Sequence, residues 1–137
     1  MMKRIITALI LSISGIAAVF AQPAQNQPNG QDVFVPIAKY IQNGDAERLA
    51  VWFAPNLEID ILGTNNVCSR QQAKQILKEF FVEYSPKSFT IQYRSGKPPM
   101  KYAVGNLNAG GSKFRVTLFV KTQQDGNFIQ QLRIEKE

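Results

Sequence analysis

The chain predicts an α+β domain in which a long amphipathic helix packs against an antiparallel sheet covered on one side only. Three observations carry that expectation. Residues 69–84 place Ala73, Ile76, Leu77, Phe80, Phe81 and Tyr84 at i, i+3, i+4, i+7, i+8 and i+11, one face of a helix with 3.6 residues per turn. The segments that follow alternate apolar and polar residues, as strands with one wet face do. Between them, the run from Asn108 to Ser112 and the pair Asp125-Gly126 read as hairpin turns. The predicted order is helix, helix, strand, long helix, then four strands.

The first residues form a separate unit. Lys3 and Arg4 precede an apolar run from Ile5 to Phe20, and Val19-Phe20-Ala21 puts small residues at the two positions a signal peptidase reads. The run falls short of the ~20 residues a membrane span needs, and no stop-transfer charge cluster follows. Residues 1–21 are therefore read as a signal peptide, with no membrane span after cleavage and a periplasmic or extracellular product. Residues 22–31 are polar, contain proline and read as a disordered tether. Residues 32–137 make one α+β domain.

Within that domain Phe34, Ile37, Ala38 and Ile41 keep helical spacing, with Pro36 in the first turn. Gly44 ends this helix in a left-handed conformation, and Asp45 caps the next. The second helix buries Ala46, Leu49, Ala50 and Phe53, carries Trp52 at its edge, and stops at Ala54-Pro55. Residues 57–62 alternate as a strand, with Leu57, Ile59 and Ile61 opposite Glu58 and Asp60. Residues 63–67 read as a turn. Ser69 and Gln72 then form a capping box for the long helix.

In the last four strands the inward set is read as Phe89, Ile91 and Tyr93, then Tyr102 and Val104, then Phe114, Val116, Leu118 and Val120, then Phe128, Leu132 and Ile134. Arg94, Lys113, Arg115, Lys121 and Arg133 fall on the outer face. The apolar residues expected there are only Ala103, Leu107, Phe119 and Ile129. Stacking two such faces would oppose like charges, so the expected state is a monomer or at most a weak dimer.

Composition removes several chemistries. The chain holds 16 Lys+Arg against 10 Asp+Glu; without Lys3 and Arg4 this is 14 against 10, or +4. Such a balance aids solubility and is no nucleic-acid footprint. With no histidine and only Cys68, the chain offers no imidazole catalysis, no internal disulfide and no structural zinc site. No cofactor or metal is expected. Cys68 reads as a small filler at a helix start, although a helix N-terminus is also a place where a thiol becomes reactive.

Asn43-Gly44-Asp45, the run from Trp52 to Ile59, and Ala73 with Ile76-Leu77 resemble the nuclear transport factor 2-like, cystatin-like cone. The order α-α-β-α-β-β-β-β is that of this fold, in which a curved sheet wraps the long helix and the first two helices close the wide end. Residues 73–81, 86–91 and 130–135 look closer still to one small exported family of Gram-negative bacteria, the domain-of-unknown-function family 4783. None of these marks is a catalytic motif, so the resemblance implies a fold and a location.

The cone fold also hosts ketosteroid isomerases, polyketide cyclases and dehydratases. In the isomerases an aspartate base lies near the end of the first strand, and Asp60 falls close to that position. Their tyrosine oxyanion donor lies seven residues before the glycine of the Gly-Asp pair; that position here is Ile37, which donates nothing. Such a donor is worth on the order of a hundredfold or more in rate. Dehydratases and cyclases lean on histidine, which is absent. Asp60 also shares its face with Glu58, as a solvated strand carboxylate does. The expected function is therefore that of an exported non-enzymatic domain that binds a protein or envelope partner, or a small apolar ligand. The alternative is an enzyme of the isomerase/cyclase type with Asp60 as base. Candidate pocket residues are Trp52, Phe53, Phe80, Tyr93 and Tyr102, around a small cavity beneath the sheet with no ionisable group poised for proton transfer.

Overall fold

The computed structural model describes residues 32–137. The expected signal peptide and tether lie outside the described residues. Helix α1 (Phe34–Gln42) buries Phe34, Ile37 and Ile41, the stripe that 3.6-residue periodicity lines up. Gly44, at φ +66°, ends it in the left-handed region where a side chain is disfavoured. Asp45 Oδ1 accepts the Arg48 N–H at 3.0 Å and caps α2 (Ala46–Ala50).

This second helix stops short of Phe53, which instead opens β1 (Phe53–Ile61). The Trp52 carbonyl accepts the Ile129 N–H at 2.6 Å, which draws the chain into the sheet before Pro55 is reached. Pro55 has no N–H to donate, and it sits where the register shifts between Phe53 and Glu58. The turn expected at residues 63–67 is likewise mostly strand. β2 (Thr64–Ser69) pairs antiparallel with β1 through a two-residue turn, Leu62 at φ +53° and Gly63 at φ +91°. Thr64 to Val67 are all exposed, so no apolar alternation marks this edge strand.

Helix α3 (Arg70–Glu83) carries the capping box as read. Ser69 Oγ accepts the Gln72 N–H and Gln72 Oε1 accepts the Ser69 N–H, both at 3.2 Å. Ala73, Leu77, Phe80 and Phe81 are buried on its inner face. β3 (Pro86–Lys97), β4 (Met100–Ala109), β5 (Ser112–Gln123) and β6 (Gly126–Lys136) follow as an antiparallel meander. The curved six-stranded sheet runs β2-β1-β6-β5-β4-β3, with β1 parallel to β6 and every other pair antiparallel. The α+β class stands, in the order α-α-β-β-α-β-β-β-β.

The rings of Phe80 and Tyr84 meet Phe114 edge-on at 5.4 and 5.0 Å, tying α3 to β5. Phe53, Leu77, Phe114 and Leu118 are fully inaccessible, and among the described residues no polar or charged side chain is buried. Each such large side chain contributes about 1.5–3 kcal/mol through burial.

Two bulges decide which residues share a face. In β3, Ile91 pairs with Gly105 and Tyr93 with Val104, leaving Gln92 as an extra residue. One added residue reverses the alternation. Tyr93 therefore points outward, at 52% exposure, and Arg94 moves to the face of its partner Ala103. In β6, Gln130 is the extra residue: Ile129 turns under the sheet and Phe128 turns outward beside Lys121. β4 is inverted throughout, with Ala103 and Leu107 buried and Tyr102 and Val104 facing out. Packing gives the reason. A Cβ at Gly105 would lie 2.5 Å from Phe89 Cζ, so β4 must turn its small residues toward the helices.

Candidate functional site

The five pocket candidates do not converge. Phe53 and Phe80 are core residues at 0% and 5% exposure, and Trp52 packs partly buried against that core. Tyr93 and Tyr102 lie on the opposite side of the sheet.

Asp60 is also on the outer face. Its Oδ2 accepts a 3.4 Å hydrogen bond from Asn65 Nδ2, which bonds Glu58 Oε2 at 2.6 Å, and its cross-strand neighbour in β6 is Arg133. β1 and β4 are three strand spacings apart, about 14 Å. Asp60 is thus far beyond hydrogen-bond reach of Tyr102. Ile37, at the oxyanion-donor position of the isomerases, is wholly buried in α1. A base and a donor of the isomerase type are not brought together. Cys68 is partly buried, and that burial pushes its thiol pKa up, opposite to the shift that activates a nucleophile. A surface recess of about 480 Å³ at the β4–β5 turn is lined by Lys87, Asn108, Gly110 and Lys113 among others, and holds no carboxylate.

What the structure does assemble is an aromatic ladder on the outer face, with Tyr93 exposed and Tyr102 and Phe119 half-buried. Tyr93 and Tyr102 have ring centroids 5.9 Å apart, and Tyr102 stacks on Phe119 at 5.4 Å and 27°. Strand pairing sets them in two adjacent rows: Ser95, Tyr102, Phe119, Gln131 and Glu58, and then Tyr93, Val104, Thr117, Arg133 and Asp60. A third row holds Lys97, Met100, Lys121 and Phe128, with Met100 43% exposed. The hydroxyls of Ser95 and, secondly, Tyr102 hold the Tyr93 phenol below the ordinary tyrosine pKa. Arg133 Nη1 lies 3.5 Å from Glu135 Oε2, while its covered Nε has no hydrogen-bond partner in the protein.

Sequence reasoning missed this face because it extended one alternation through each strand. The available cue was the pair Ala103 and Gly105, small residues that fit beneath Phe89 where Tyr102 and Val104 do not.

Comparison with known proteins agrees with this architecture. The family model described as Domain of unknown function (DUF4783) matches residues 34–135. No curated protein matches the chain. A solved DUF4783 family protein from Bacteroides fragilis YCH46 is 24% identical with a TM-score of 0.72, covering 77% of this chain and 100% of that one. Another, from Bacteroides ovatus ATCC 8483, is 22% identical with a TM-score of 0.74, covering 79% and 98%. A domain of unknown function with a cystatin-like fold from Nostoc punctiforme PCC 73102 is 12% identical with a TM-score of 0.60, covering 74% and 70%. Identities at this level speak for the fold alone. With nearly all of the helices and sheet inside the matched span, this chain belongs to the DUF4783 family.

Proposed function

We propose that this chain is an exported, non-enzymatic domain that binds a partner of the cell envelope through the outer face of its sheet. The observation that carries the reading is the outer-face ladder of exposed Tyr93 and half-buried Tyr102 and Phe119. Aromatic side chains are the usual anchors of protein interfaces, since they bury a large area at little entropic cost. Apolar side chains such as Tyr93 and Met100 left exposed beside these rings fit a surface that a partner covers. The other side of the sheet offers a small ligand little: its rings pack on one another.

The test is site-specific photo-cross-linking in cells. A benzoyl-phenylalanine replaces Tyr102, and as control it replaces Val82, which is 85% exposed on α3. The reading expects a discrete adduct from position 102 and none from position 82. Equal labelling at the two positions, or no adduct at 102, would count against it.

A further inference from the structure

We infer that the partner covering this face is an acidic polypeptide, one that sets carboxylates beside apolar side chains; this rests on the reading of the outer face as a binding surface. Of the cations in residues 94–101 and 121–128, the two hairpin ends next to the ladder, Lys97 and Lys121 share the ladder's face, whereas Arg94 and Lys101 pair with Ala103 and Val120 of the other face; Asp125 is the one acid of these segments. Lys97, Lys101 and Lys121 pair with no carboxylate among the described residues, whereas Lys74 and Lys78 share Glu47 and Arg115 is held between Glu135 and Glu137. Lys97 and Lys121 flank Met100 in one cross-strand row, and that row ends on Phe128. Cation and apolar group therefore interleave, and the complementary surface interleaves anion and apolar group.

The acids on the same face cannot neutralise these lysines. Glu58 and Asp60 are held by Asn65 of the edge strand β2, and their own strand β1 lies two strand spacings, ~10 Å, from β5 with Lys121 and four, ~19 Å, from β3 with Lys97. Their presence also decides between two anionic partners. A bilayer of anionic lipid laid across the face would press its headgroups onto Glu58 and Asp60. A narrower polypeptide can meet the lysines and rings and leave β1 uncovered.

The experiment titrates the purified protein with a fluorescent peptide alternating aspartate and leucine, and with its counterpart carrying asparagine for aspartate. The acidic peptide should bind about fivefold or more tighter at low salt. That preference should vanish in the exposed double variant Lys97→Gln/Lys121→Gln, while Tyr102→Ser weakens both peptides. Circular dichroism of each variant checks that the fold is kept. Equal binding of the two peptides, both weakened by Tyr102→Ser, overturns the acidic partner and leaves the binding surface standing. Binding of neither peptide overturns the acidic partner too, and the position-102 adduct then shows whether the surface survives. Association with phosphatidylglycerol vesicles in place of the acidic peptide, or self-association through Tyr102 in light scattering, also overturns it.

Discussion

Beneath the sheet, Phe53, Phe114 and Leu118 are sealed at 0% exposure, while above it Tyr93 stands 52% exposed and Met100 43%. One sheet supplies both sets. On the lower side every ring finds another ring or an aliphatic neighbour, and no polar side chain is buried among the described residues. On the upper side rings, lysines and carboxylates share rows, and Arg133 keeps a covered Nε with no protein partner. The lower face is explained by stability alone. The upper face is not, and that is why function is sought there.

Substitutions should separate the two faces by size of effect. The largest belongs to the lower face: Phe114→Ala removes the ring that Phe80 and Tyr84 contact and should cost about 3–5 kcal/mol in chemical denaturation. Next is Gly105→Ala, which forces a Cβ toward Phe89 Cζ at 2.5 Å and the Thr90 carbonyl at 2.8 Å. It should lower stability by about 1–3 kcal/mol, as overpacking does. Smaller again is Tyr102→Ser on the upper face, expected at roughly 0.5–1.5 kcal/mol because it removes ring pairs but opens no cavity. A loss at Tyr102 equal to that at Phe114 would erase the distinction between the faces.

The smallest expected effect lies off the sheet, where Glu47 in α2 accepts hydrogen bonds from Lys78 at 3.1 Å and Lys74 at 3.2 Å of α3. Lys78 first, then Lys74, hold its carboxyl below the ordinary value. A carboxyl depressed in the folded state adds stability above its unfolded pKa and loses it as pH falls through the folded value. Glu47→Gln should therefore be slightly less stable than the parent near neutral pH. Denaturation curves repeated toward acid should show that gap closing. A gap that widens in acid would contradict the assignment.

Much of the fold was legible because its signals are local. The stripe of α3 and the Ser69–Gln72 box lie within one segment, and both appear as read. Asp60 could be placed on the outer face for the same reason, since Leu57 and Ile59 fix the alternation around it. β2 was not legible, because an exposed edge strand is held by backbone pairing and leaves no apolar pattern. The aromatic ladder was legible only in part: small Ala103 and Gly105 mark the inner side of β4, but the side that Tyr93 takes is not written in β3 alone. The bulges at Gln92 and Gln130 follow from how β3 and β6 match their neighbours, and nothing in either strand alone announces them. Once they are in place, Tyr93 and Phe128 change sides and the candidate site moves from the interior to the surface.

That change of sides is the central claim, and the four tyrosines of the chain can report on it directly. Fluorotyrosine is incorporated at all four, the fluorine resonances are assigned with single Tyr→Phe variants, and a soluble paramagnetic agent is added. Tyr93 should broaden most, and Tyr84, half-buried between Phe80 and Phe114, clearly less. A Tyr93 resonance as protected as that of Tyr84 would put the ladder back beneath the sheet and contradict the account.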